Sequence, residues 1–174
     1  MEIRPATVAD AAACAALYAP YVRETAITFE TEVPTEAEMA QRIATALEKH
    51  AWLVLEEDDG RLRGYAYSRQ FHARAAYQWA CEVSVFLEHD GPRRTGAGRR
   101  MYEALLPILA GRGYRTAIAG ITLPNEGSMG LHAALGFELV GTYQDIGYKL
   151  GAWHDVAWLQ ATLQQLDDPP PEPR

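Results

Sequence analysis

The sequence predicts one α/β (α+β) domain in which helices flank a central mixed, mostly antiparallel sheet. Three observations carry that prediction. The chain has 174 residues, 48% hydrophobic and 22% charged, which suits a single core of ordinary size. Short apolar runs bounded by turn residues alternate with stretches of helical period. Caps and breakers then divide the chain into the order β-α-α-β-β-β-α-β-α-β-β, with a hairpin inside the central strands.

Ile3 to Ala6 opens as a short strand. Thr7-Val8-Ala9-Asp10 reads as a capping box, with Asp10 answering Thr7 from the first turn, and starts an Ala-rich helix to about Val22. A second box, Thr35-Glu36-Ala37-Glu38, starts a helix carrying Met39, Ile43 and Leu47 at spacings of four. Ala51 to Leu55 is a buried-strand run, Asp58-Asp59-Gly60 a hairpin turn, and Leu62 to Ser68 the returning strand. Phe71 to Tyr77 reads as a loop bearing His72 and Arg74. From Gln78 to Glu88 alternation sets Cys81, Val83 and Val85 on one face and Glu82, Ser84 and Phe86 on the other.

Beyond Gly91-Pro92, the segment Arg93-Arg94-Thr95-Gly96-Ala97-Gly98 leads into a helix with Met101, Leu105, Ile108 and Leu109 inward. Pro107 bends that helix or turns its missing hydrogen bond to solvent, and Gly111 and Gly113 end it. Thr116 to Thr122 is a strand and Asn125 to Leu135 a short helix. Gly136-Phe137 then turns into a strand running to about Asp145, and a last apolar stretch spans Tyr148 to Leu163. The domain is expected to occupy residues 1–163. The Pro-rich tail 164–174 cannot bury a core and is expected to be disordered.

Composition excludes several classes. No apolar run approaches the roughly 18–20 residues that span a bilayer. The opening Met-Glu-Ile-Arg-Pro lacks the basic and then apolar pattern of a secretory leader. Cys14 and Cys81 lack metal or disulfide-framework spacing, so a reducing cytoplasm is the expected location. The five histidines show no ligand spacing, and no metal is expected. A net charge of −7 opposes binding to nucleic acid.

Chemistry concentrates at two places. Four arginines, Arg93, Arg94, Arg99 and Arg100, surround Gly96-Ala97-Gly98 at a helix start, where successive backbone N–H groups make a concave anion site. Alone, this reads more readily as a glycine turn with solvated arginines. Met101 stands where a dinucleotide fingerprint wants its third glycine, and no Gly-Lys-Ser/Thr follows as a P-loop needs. The second place runs from Asn125 through Ser128 to Leu131-His132 and Leu135-Gly136-Phe137; by itself Asn125 reads as an N-cap. Glu126 replaces the first glycine of a serine-hydrolase elbow, so Ser128 gains no support as a nucleophile.

Together and in this order, the two segments resemble the GCN5-related N-acetyltransferase (GNAT) superfamily. Thr28-Phe29-Glu30, Tyr77-x-Trp79-x-x-Glu82-Val83-Ser84-Val85, Leu131-His132-x-x-Leu135-Gly136-Phe137 and Lys149-x-Gly151-x-Trp153-x-Asp155 extend the resemblance to its phosphinothricin N-acetyltransferase branch. The resemblance implies acetyl-CoA as cosubstrate. Its pyrophosphate would lie on Arg93, Arg94, Thr95, Gly96, Ala97, Gly98 and Arg99. Its acyl end would meet the backbone edge of Val83, Ser84 and Val85, and Asn125 and Ser128 would flank the pantetheine arm. The acceptor implied is the α-amine of phosphinothricin, methionine sulfoximine or methionine sulfone, and a homodimer is expected, in weak agreement with an apolar surplus between Trp153 and Leu163. Many superfamily members carry tyrosine where this chain has His132, and Arg94-Thr95 departs from the commoner loop residues.

An α-ammonium must lose its proton before it attacks a thioester. Glu82 is the expected base, partly desolvated among Trp79, Val83 and Phe86, and His132 is expected as a second base or as donor to the leaving sulfur. Arg74 and Tyr77 are expected to orient the acceptor's anionic group, with Phe29 as an apolar wall. Trp52, Trp153 and Trp158 read as core or interface residues. Two alternatives stay open: the acceptor is a polyamine, an aminoglycoside or a protein N-terminus, or the chain is a non-catalytic acyl-CoA sensor.

Overall fold

In the computed structural model, which describes residues 1–92 and 94–174, capping chemistry starts the first two helices where the sequence places it. The Thr7 N–H donates to Asp10 Oδ2 (2.8 Å), and a 3₁₀ turn over Val8–Asp10 leads into α1 (Ala11–Glu24). Thr35 and Glu38 make both bonds of their box, at 3.2 and 2.7 Å, at the head of α2 (Glu36–Lys49). The later helices are α3 (Ala97–Gly111) and α4 (Glu126–Ala134), the latter capped by Asn125, whose side chain accepts from the Ser128 N–H at 3.1 Å.

Among the described residues seven strands form one sheet: β1 (Glu2–Pro5), β2 (Trp52–Glu56), β3 (Leu62–Gln70), β4 (Ala80–Leu87), β5 (Thr116–Thr122), β6 (Glu138–Lys149) and β7 (Ala152–Thr162). They lie in the order β1-β2-β3-β4-β5-β7-β6. Every neighbouring pair is antiparallel except β4–β5, which is parallel and is connected by the crossover helix α3. Alternation along the strands feeds two cores. Trp52, Val54, Tyr65 and Phe86 pack with α1 and α2, whereas Leu53, Leu55, Ala66, Cys81 and Val83 pack with α3. Glu82 and Ser84 alternate with Cys81 and Val83, so they face the α1–α2 side of the sheet.

Three expectations need correction. Ile108 is 37% exposed, and Tyr102 is the α3 residue that joins Met101, Leu105 and Leu109 inside. Helical period alone makes positions 101, 102, 105 and 109 one stripe, with 108 on its rim. The hairpin pairing of β3 with β4 carries β3 two residues past Ser68. The strand expected to end near Asp145 runs to Lys149, where Leu150 (φ 52) and Gly151 (φ 80) turn it into β7. The tail forms no helix or strand, and its backbone lies against the domain. Trp79 Nε1 donates to the Pro171 carbonyl (2.7 Å) and the Arg174 N–H to that of Arg112 (2.7 Å).

His50, at the end of α2, stacks on Tyr114 with ring centroids 5.1 Å apart and leaves Nδ1 buried without a partner among the described residues. Burial, reinforced by the charges of Arg112 and Lys49, lowers its pKa from 6.5 to about 4. The unfolded chain therefore takes up a proton that the fold resists, and stability is lost as pH falls from 6.5 toward 4. Thermal melts across that window should show a falling midpoint, and His50→Phe should make the decline shallower. An unchanged slope in the variant would refute the assignment.

Candidate active site

The site is built around a gap in the sheet. Among the described residues β4 pairs with β5 only over Ala80–Glu82, against Thr116–Ile118, and no pairing with β5 follows beyond Glu82. β3 stays paired with β4 as far as Leu87. The two parallel strands thus part at Glu82, and the β4 backbone beyond it is offered to the gap. On the α1–α2 side the gap opens into a cavity of about 490 Å³. Ser84 lines it from β4 and Gly120 and Thr122 from β5. Tyr67 and Phe86 form its floor, and Trp158 of β7 closes its far wall.

Glu82 and Arg69 stand directly opposite each other in the β3–β4 register, so their side chains share this face. Arg69 Nη2 donates to Glu82 Oε1 at 2.7 Å, and no protein donor to Oε2 is found among the described residues. The immediate partner of Glu82 is therefore a guanidinium, a neighbour additional to the Trp79, Val83 and Phe86 side chains expected around it. A second carboxylate, Glu30, lies at the rim but is fully engaged. Arg42 holds both its oxygens (2.8 and 2.9 Å), and the Tyr18 hydroxyl adds a bond at 3.1 Å. Burial pushes the Glu30 carboxyl up, but Arg42 outweighs it and holds the group below its ordinary value. A carboxylate so occupied is structural, and Glu82 is the one with an oxygen to spare.

The roof is residues 25–31, which form neither helix nor strand. Phe29 lies directly over Gly147 of β6, where a methyl group would overlap its ring. Lys149, only 5% exposed, donates from Nζ to the carbonyl of Thr28 (2.7 Å) and, at 3.4 Å, to that of Tyr21. Burial pulls this ammonium below its ordinary pKa, against the charge of Glu30. Its bond to Thr28 ties the roof, and its longer bond to Tyr21 ties α1, to the β6–β7 hairpin.

On the opposite side, the loop after β4 ends at α3. Gly96 takes φ +78 as N-cap and Arg94 takes φ +58, a left-handed conformation that suits glycine better. The N–H groups of Gly98 and Arg99 start the helix with no acceptor among the described residues, and the Thr95 hydroxyl is 3.4 Å from the Ala97 N–H. Gly98 presses against α4, where an added Cβ would come within 3.2 Å of Leu131 Cδ2. Arg94 and Thr95 are exposed, while Arg99 is drawn aside to Glu103 (2.7 Å). Arg93 lies outside the described residues.

Other expected site residues fall elsewhere. His132 is 3% exposed on the α3 side, wedged between Tyr102 and Phe137. Its Nδ1 is 2.8 Å from the Ser128 carbonyl, which can only accept, so Nδ1 carries the proton and Nε2 accepts from the Tyr102 hydroxyl at 3.2 Å. Burial lowers its pKa although the Ser128 carbonyl favours the charged form. With Nδ1 on the Ser128 carbonyl and Nε2 on the Tyr102 hydroxyl, the imidazole orders α4 against α3 on the face of the sheet opposite Glu82. Ser128 shares its face, and Asn125 uses Oδ1 as cap, leaving its amide N–H₂ for a ligand. Arg74 and Tyr77 lie in an exposed loop outside the cavity lining, with Tyr77 packed on Phe71 and His72. Trp158, expected in core or interface, lines the cavity. Its benzo edge rests on Gly120, and its buried Nε1 lacks a partner among the described residues. Among the described residues no three His, Cys, Asp or Glu side chains are placed to hold a metal ion.

Comparisons with known proteins agree with this architecture. The family model described as acetyltransferase (GNAT) domain matches residues 3–158. The phosphinothricin N-acetyltransferase of Streptomyces viridochromogenes is 38% identical over 170 residues, covering 98% of this chain and 91% of the relative. The L-methionine sulfoximine/L-methionine sulfone acetyltransferase of Pseudomonas paraeruginosa is 32% identical over 97% of this chain and 98% of its own. The crystal structure of a phosphinothricin acetyltransferase from Sinorhizobium meliloti in complex with acetyl-CoA superposes with a TM-score of 0.88, at 34% identity, over 92% of this chain and 87% of that one.

Proposed function

The chain belongs to the GNAT acetyltransferase family and is an acetyl-CoA-dependent N-acetyltransferase, and we propose that its acceptor is the α-amine of a small amino acid of the phosphinothricin or methionine sulfoximine type. The residues present fit the cosubstrate. The N–H groups at the start of α3, which have no acceptor among the described residues, and the positive side chains of Arg94 and Arg100 suit a diphosphate. The close contact of Gly98 with Leu131 keeps α4 near the arm that would follow. The thioester supplies an activated acetyl group with a good leaving sulfur.

One observation carries the reading. The sheet gap that leads from the phosphate loop ends at Glu82, the cavity carboxylate with an oxygen free to take a proton. Glu82 takes the proton of the acceptor's ammonium, directly or through one water. A strand-edge N–H between Val83 and Val85 donates to the acetyl carbonyl as negative charge develops there. Phe29, Phe86 and Trp158 surround the acceptor with apolar surface and limit its size. The names of the relatives support a small amino-acid analogue.

The exposed apolar side chains Leu139, Val140, Tyr143, Ile146 and Tyr148 along the edge strand β6 support pairing with a second copy as a homodimer. Because Tyr143 and Ile146 also line the cavity, that contact would firm one of its walls.

The test measures free-thiol release from acetyl-CoA with methionine sulfoximine, methionine sulfone, phosphinothricin, spermidine, an aminoglycoside and an N-terminal peptide. Turnover with the first three alone is expected. Turnover confined to the cationic or peptide acceptors, or binding of acetyl-CoA without turnover of any amine, would overturn the proposal.

A further inference from the structure

The expected anion-binding arginine, Arg74, lies outside the cavity, yet the cavity contains a guanidinium that the proposed reaction has not used. We propose that Arg69 receives the acceptor's α-carboxylate, so that Arg69 and Glu82 together recognise the amino acid as a zwitterion. The inference rests on the reading of this cavity as the acceptor site.

Geometry supports it in three ways. Arg69 spends one N–H on Glu82 Oε1, and no other acceptor is found for it among the described residues, so the rest of its planar fork is available. The Arg69 side chain keeps 59% of its surface exposed while that of Glu82 keeps 14%, so the guanidinium is the outer member of the pair and the carboxylate the inner one. An α-amino acid carries its ammonium and carboxylate on one carbon, about one hydrogen bond apart. A cation and an anion 2.7 Å apart on adjacent strands are the complement of that arrangement. Seated on the pair, the amine faces Glu82 at the end of the gap and the side chain points toward Phe29, Phe86 and Trp158. An amine at the end of a long chain, lacking the neighbouring carboxylate, cannot satisfy both partners. The pair therefore selects α-amines over ω-amines.

The rival account makes Arg69 a structural counter-ion that only holds Glu82 in place. The two accounts separate when L-methionine sulfone and its carboxamide are compared in the same enzymes, because the different basicity of the two amines cancels between variants. Arg69→Gln is expected to raise KM for the free acid about 10- to 100-fold, the loss of a charge-assisted fork. KM for the carboxamide should change less than about threefold, which removes the preference for the acid. Arg69→Lys should recover only part of the loss, since an ammonium offers a point charge in place of a fork. Arg74→Ala should leave the acid-to-amide ratio as it is.

Equal losses for acid and amide in Arg69→Gln would overturn the inference in favour of the counter-ion account, and so would a ratio that collapses in Arg74→Ala instead. An unsubstituted enzyme with no preference for the free acid would overturn both this inference and the amino-acid reading. A preference that survives Arg69→Gln would overturn this inference alone.

Discussion

Glu82→Gln lowers kcat for acetyl transfer by about 10²- to 10⁴-fold, the range expected for loss of a positioned general base. The side chain stays nearly isosteric and can still accept from Arg69, so the cavity keeps its shape. The phosphate loop lies beyond Leu87 and α3 packs on the other face of the sheet. The dissociation constant for acetyl-CoA, read by calorimetry, should therefore stay within about twofold. Parallel losses in kcat and cofactor affinity would mean that Glu82 supports the fold of the gap and not the proton transfer. The assignment discriminates because Glu30, the other carboxylate nearby, is already saturated by Arg42 and Tyr18.

Gly147→Ala is expected to raise the acceptor KM about tenfold and to cost about 1–3 kcal/mol of stability, as overpacking generally does. The added methyl occupies the space of the Phe29 ring, and Lys149 fixes the neighbouring Thr28 carbonyl, so the roof cannot simply glide aside. Phe29 must leave the surface of β6 and open the cavity. A double-mutant cycle isolates this effect. Once Phe29 is Ala, the methyl at 147 has nothing to displace, and the two losses should fall short of additivity by about 1 kcal/mol or more. Strict additivity would show that Gly147 matters for the backbone of β6 and not for its contact with the roof.

The succession of elements, both capping boxes and the glycine turn at the head of α3 were legible in the sequence because each rests on local chemistry. A threonine with a carboxylate three residues on, or two glycines at a helix start, needs no partner from afar. Glu82 was legible from alternation along β4. Arg69 was not, and the reason is register. Apolar pattern alone ends β3 at Ser68, which would put Arg69 in a loop, whereas pairing with β4 continues to Gln70 and sets Arg69 opposite Glu82.

The same holds for the roof. Nothing local joins Phe29 to Gly147 or Lys149 to Thr28, more than 115 residues apart, and only the return of β6 and β7 beside β5 makes those contacts. The surroundings of His132 were hidden in a related way. Its spacing from Ser128 was read correctly, and the two do share a face. The face belongs to the interior beside Tyr102, which a helical wheel drawn for α4 alone does not reveal. Pro107 was resolved by exposure: it sits on the outer surface of α3, where its missing N–H faces solvent.

The account turns on the sheet gap as the passage between the phosphate loop and the acceptor cavity. A crystal structure with acetyl-CoA and a slow amino-acid acceptor tests it most directly. The diphosphate should rest on the N–H groups of residues 96–99. The acetyl carbon should lie beside Ser84, with the acceptor nitrogen about 3–3.5 Å away and within one water of Glu82 Oε2. A diphosphate bound away from that loop, or an acetyl group that does not enter the gap between β4 and β5, would contradict it.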